Sequence, residues 1–97
     1  MLKGKHLIAG EWIGSEETFE NTPLTGDADQ FAVGTADHVD AAVRAAEEAF
    51  PSFGYSKRAD RANLLREIAA EIDARGSEIT AIGVRETGLP EMRLNGE

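Results

Sequence analysis

Two histidines, three close-set groups of carboxylates and one tryptophan are the side chains here that could do chemistry. Neither His6 nor His38 has a second histidine at the spacing that sets two imidazoles on one helical face, so a metal site has little support. His6 reads as a strand residue and His38 as an exposed residue in a first helical turn. Carboxylates pair at Glu16-Glu17, Glu47-Glu48 and Asp27-Ala28-Asp29. General acid and base work needs two carboxyls converging on one substrate with their acidities pushed apart, which sequence neighbours do not supply. Asp27-Ala28-Asp29 also lacks the alternating oxygen ligands of a calcium loop. Zero cysteines exclude a disulfide framework, a thiolate metal site and a cysteine nucleophile within these residues. The ten glycines never gather into G-x-G-x-x-G or a phosphate loop, so no nucleotide cradle is visible. No residue is therefore assigned as catalytic, cofactor-binding or metal-ligating. Trp12, beside a hairpin turn, reads as a packing anchor that pins the hairpin onto a neighbouring layer.

The elements that would position such groups are few. The 97 residues, 41% hydrophobic and 29% charged, fit one small globular unit or part of a larger one. A chain this short buries only about 60 to 65% of the surface its unfolded form exposes, so a partner or a missing remainder is plausible. Ten Lys and Arg against 18 Asp and Glu give a formal net charge of -8, the wrong sign for binding a nucleic-acid backbone. The start Met1-Leu2-Lys3-Gly4-Lys5-His6 has no apolar leader, and no run approaches the roughly 18 apolar residues of a membrane span. No membrane association and a cytoplasmic location are the expectations.

The β-rich part, residues 1–34, opens with a hairpin over Lys5 to Ile13 that turns at Ala9-Gly10, where glycine permits a positive φ. Thr18-Phe19-Glu20-Asn21 is a further extended stretch running into the turn Pro23-Leu24-Thr25-Gly26, and Gln30-Phe31-Ala32-Val33 is the next strand. The helical part, residues 35–97, follows. Val39, Ala42, Val43, Ala46, Ala49, Phe50 and Phe53 recur at helical steps, with Asp37, Asp40, Arg44 and Glu47 opposite. Thr35 or Asp37 caps this helix, and Pro51 ends or kinks it near Phe50. A second helix starts after Ser56, carries Leu64, Leu65, Ile68, Ala69 and Ile72, pairs Glu71 with Arg75 and stops at Gly76. Ser77 caps a third helix that Gly88 and Pro90 terminate, and Pro90 suits the first position of a fourth, which barely starts before Glu97. That unfinished helix predicts a chain cut from something longer.

Three blocks in order, His6-Leu7-Ile8-Ala9-Gly10-Glu11-Trp12-Ile13, Asn21-Thr22-Pro23-Leu24-Thr25-Gly26 and Asp37-His38-Val39-Asp40-Ala41-Ala42-Val43-Arg44-Ala45-Ala46, resemble the start of the aldehyde dehydrogenase superfamily. Arg61-Ala62-Asn63-Leu64-Leu65 with Ile68-Ala69 resembles its second helix. The hairpin and the closing Glu86 to Glu97 segment look most like the α-ketoglutaric semialdehyde (2,5-dioxovalerate) dehydrogenases within it. The resemblance implies an α/β fold in which this chain is an amino-terminal fragment, its helices flanking the nucleotide-binding domain. It further implies a full-length homo-oligomer that oxidises α-ketoglutaric semialdehyde to 2-oxoglutarate with NADP or NAD. A cysteine thiolate would attack the aldehyde and a glutamate would activate water. Those groups would lie beyond residue 97, so the chain alone is expected to be inactive and to hold no cofactor, with the rest of the dehydrogenase as its partner.

A different class of reading stays open: a noncatalytic interaction module or subunit whose helices present Val43, Phe50, Leu65 and Ile72 to a partner groove. As an orphaned fragment the chain is expected to self-associate or melt at low temperature, whereas a module would be a stable monomer.

Overall fold

The computed structural model describes residues 2–97 and runs four short strands into four helices: β1 (His6–Ile8), β2 (Glu11–Ile13), β3 (Thr18–Glu20), β4 (Gln30–Ala32), α1 (Ala36–Gly54), α2 (Arg58–Ala74), α3 (Gly76–Thr87) and α4 (Glu91–Leu94). The elements form two compact units. One spans residues 2–21 and 29–56; the other spans residues 22–28 and 57–97, so the turn between β3 and β4 belongs with the later helices.

In the first unit β1 and β2 pair antiparallel with Leu7 opposite Trp12, closed by a two-residue turn in which Ala9 and Gly10 both have positive φ, 51° and 83°. Such a turn matches the right-handed twist of the flanking strands. β3 and β4 form a second ribbon, Phe19 opposite Phe31, with ring centroids 5.7 Å apart. A two-stranded ribbon is marginal alone, and backbone contacts join this pair to the start of the chain. The Ala32 N–H donates to the Gly4 carbonyl at 2.7 Å, while the Val33 N–H, donating to the Glu17 carbonyl at 3.0 Å, lengthens the ribbon itself. Gly4 sits at φ +60°, and a Cβ there would lie 2.0 Å from the Gln30 carbonyl oxygen. Only glycine fits so close an approach. Ile8 and Ala32 are the buried hydrophobic residues among those described.

Helix α1 starts at Ala36 with Thr35, one of the two candidates Thr35 and Asp37, as its cap, but does not end near Phe50. It passes through Pro51 to Gly54. Proline there removes one intrahelical donor, within the last turn of an exposed helix, where water can satisfy the freed carbonyl. The Ser52 hydroxyl donates to the Ala49 carbonyl, and the Ser56 hydroxyl and N–H both close on the Phe53 carbonyl.

In the second unit, α2 and α3 are separated by Arg75 alone. Its N–H donates to the Glu71 and Ile72 carbonyls, while its own carbonyl accepts from Ile79 N–H at 3.0 Å. Gly76 is thus the first residue of α3 and not a stop, and Ser77 lies inside the first turn instead of capping it. The Glu71–Arg75 pair forms at 3.3 Å on the surface. Gly88, left-handed at φ 70°, closes α3 by donating to Val84, as the Gly-then-Pro pattern predicts. Pro90 is the residue before α4, one position earlier than expected. Helix α4 is a single turn closed at Asn95, whose side-chain oxygen accepts the hydroxyl of buried Thr80 at 2.7 Å. The turn at residues 22–28 lies on α3: Leu24 N–H donates to the Arg85 carbonyl, and a Cβ on Gly88 would lie 2.5 Å from the Leu24 Cδ1.

Candidate functional site

Potentially reactive side chains from distant parts of the sequence converge at the junction of β1 and α1. Strand β1 sets His6 on its inner face beside Ile8, and the first turn of α1 sets His38 against it, ring centroids 4.8 Å apart and tilted by 48°. The local sequence explains the position of His38. Thr35, in extended conformation, accepts the His38 N–H through its hydroxyl oxygen, and the His38 Nδ1 accepts the Thr35 N–H, both at 3.2 Å. This reciprocal arrangement satisfies two of the donors that a helix start leaves open. His38 is consequently half-buried, where an exposed first-turn residue was expected. His6 Nε2 is buried and makes no hydrogen bond among the described residues. Nothing in the sequence signalled this meeting, because the two histidines are brought together by the packing of a strand on a helix and not by a shared periodicity.

Beside the pair lies a depression of about 380 Å³ lined by Ser15, Glu16, Glu17, Val33, Thr35 and His38. Its chemistry is thin. The Ser15 hydroxyl is committed to the Glu17 carbonyl at 2.6 Å, so it has no base to activate it as a nucleophile. Among the described residues no three His, Asp or Glu side chains gather where a metal ion could be held. Asp40 is paired on the surface with Arg44 at 2.8 Å, and Glu20 accepts from the Gln30 amide, so neither converges with a second carboxylate.

The larger feature is apolar. Val39, Val43, Phe50 and Phe53 of α1 remain at least half-exposed, and Leu65 of α2 is 68% exposed with Ile68 and Ile72 similarly open. Trp12 does not act as a buried anchor within these residues: it is 47% exposed, with Lys3 Nζ 4.6 Å from its ring centroid and exposed Leu7 opposite on the ribbon. The stripes read from the sequence are present on the helices; β1 meets the start of the α1 stripe at Val39 and Ala42, and most of the rest stays exposed. No helix among the described residues is long and apolar enough to cross a membrane.

Antiparallel ribbons followed by helices with open apolar faces are what the described residues present. Residues 12–97 match the aldehyde dehydrogenase family, and the chain belongs to it. Among curated relatives it is similar to the α-ketoglutaric semialdehyde dehydrogenase of Acinetobacter baylyi, 35% identical over 97% of this chain and 19% of that protein. It is also similar to the 5-carboxymethyl-2-hydroxymuconate semialdehyde dehydrogenase of Escherichia coli, 37% identical over 93% of this chain and 20% of the relative. The N-succinylglutamate 5-semialdehyde dehydrogenase of Chromobacterium violaceum is 33% identical over 92% and 18% respectively. The chain thus spans about a fifth of the length of the relatives it matches.

Proposed function

We propose that this chain is the amino-terminal structural part of a cytoplasmic, oligomeric NAD(P)+-dependent aldehyde dehydrogenase, whose whole polypeptide oxidises α-ketoglutaric semialdehyde to 2-oxoglutarate. The observation that carries the reading is the match of nearly the whole chain to a dehydrogenase of that name some five times longer. The three relatives named above are all dehydrogenases of semialdehydes, which supports the substrate class. The family's chemistry consumes one aldehyde, one water and one oxidised nicotinamide, and yields a carboxylate, the reduced cofactor and protons.

The residues present do not fit the dinucleotide itself. The described strands pair only as antiparallel two-stranded ribbons, so the crevice at the carboxyl ends of parallel strands that receives such cofactors is not built here. No step of the reaction is assigned to these residues, and the absence of cysteine agrees with a nucleophile supplied elsewhere. Their part is to bury the apolar faces of α1 and α2 against the remainder of the enzyme.

The test begins with the reading frame past the Glu97 codon and the intact mass of the natural product. The whole protein is then assayed with α-ketoglutaric semialdehyde and with N-succinylglutamate 5-semialdehyde. A preference in kcat/KM of about tenfold or more for the former is expected, the scale on which a pocket separates related substrates. The reverse preference would remove the substrate assignment and leave the structural role. Turnover by the pure 97-residue chain would remove the structural role. Leu65→Ser separates the reading from that of a free-standing module: it is expected to cost about 2 to 3 kcal/mol in the whole protein and under about 0.5 kcal/mol in the 97-residue chain.

A further inference from the structure

We infer that the start of α1 is a protonation-sensitive clasp held shut by the neutral ring of His38. In a capping box the third helical residue is ordinarily Glu or Gln, whose side-chain oxygen accepts the N–H of the cap residue. Here His38 Nδ1 performs that role toward Thr35. A backbone N–H can only donate, so Nδ1 must keep its lone pair, which fixes the ring as the tautomer with its hydrogen on Nε2. Proton uptake at Nδ1 turns the acceptor into a second donor facing a donor, and the contact is lost.

The groups facing His38 come from α1 itself, from β1 and from the β2–β3 connection. From β1, His6 lies 4.8 Å away, its Nε2 buried and without a hydrogen bond among the described residues. From the β2–β3 connection, Glu16 and Glu17 line the same depression as His38, and Asp37 adjoins it on its own helix. All three carboxylates are exposed to water and salt. Loss of the acceptor is local and unscreened. The clasp therefore opens as pH falls, and the first turn of α1 frays beside the depression.

The experiment uses the full natural chain with ¹⁵N-labelled histidine. At neutral pH the His38 ring nitrogens are expected to report hydrogen on Nε2. Hydrogen exchange in the segment 35–38, corrected for intrinsic pH dependence, is expected to show opening that rises about 3- to 10-fold between about pH 7.5 and pH 5.5, the change that one lost hydrogen bond gives. His38→Gln restores a pH-independent acceptor and should flatten that slope while keeping protection; His38→Ala should leave the segment open at both pH values. Hydrogen on Nδ1 at neutral pH, or a His38→Gln variant that keeps the original slope, would overturn the inference. Both readouts are independent of which aldehyde the enzyme takes.

Discussion

In the unit that carries the strands, segments far apart in sequence meet backbone to backbone: the Gly4 carbonyl takes the Ala32 N–H, and the Glu17 carbonyl takes that of Val33. In the unit of α2, α3 and α4, one such backbone bond, Leu24 N–H to the Arg85 carbonyl, is accompanied by side-chain contacts, Leu24 against Gly88 and Thr80 bonded to Asn95. The difference matters for what each can tolerate. A backbone contact has no slack, since nothing can rotate away from it, whereas a leucine tip can shift rotamer. What the units share is that neither closes a core: Ile8, Ala32 and Thr80 are the buried residues among those described. Local geometry is specified in both, with little buried apolar surface among the described residues of either.

The sharpest way to break this comparison is Gly4→Ala. Its Cβ would stand 2.0 Å from the Gln30 carbonyl oxygen at φ +60°, so it is expected to cost about 3 to 5 kcal/mol, read by denaturant unfolding of the full chain. A loss under about 1 kcal/mol would show that the ribbon junction has slack after all. Gly88→Ala presents the same positive φ but meets only the Leu24 Cδ1 at 2.5 Å, and an expected cost of about 2 kcal/mol follows. Adding Leu24→Ala should return part of that loss, and a double-mutant cycle measures how much. Equal costs at the two glycines, with no coupling to Leu24, would erase the distinction between backbone and side-chain contact. Smallest is Arg44→Ala. Its surface pair with Asp40 is worth about 0.3 to 0.5 kcal/mol, and a melting shift at the edge of detection is expected.

How much of this was legible beforehand divides along the same line. The hairpin at Ala9-Gly10, the cap at Thr35 and the stop at Gly88 depend on a few consecutive residues, and each stands where the sequence puts it. Pro51 does not stop α1 because the cost of one missing donor is small at the end of an exposed helix. Gly76 misleads because a helix can restart at once when the residue before it, Arg75, serves both sides. The role of His38 was out of reach, since a histidine is an unusual acceptor in a capping box and its ring partner arrives from a distant strand. The stripes on α1 and α2 were legible as patterns but not as buried surfaces, because periodicity says which face is apolar and not what lies against it.

The junction at Arg75 carries one more consequence. With a single residue between α2 and α3, the two helices behave like shafts keyed to a common pin: one inserted or deleted residue would turn the side chains of one by about 100° against the other. The faces bearing Leu65 and Ile72 on one side and Thr80 on the other would fall out of phase, although every residue remained helical. Substitutions at this joint can therefore vary widely in chemistry, while its length is held to one residue by rotation alone.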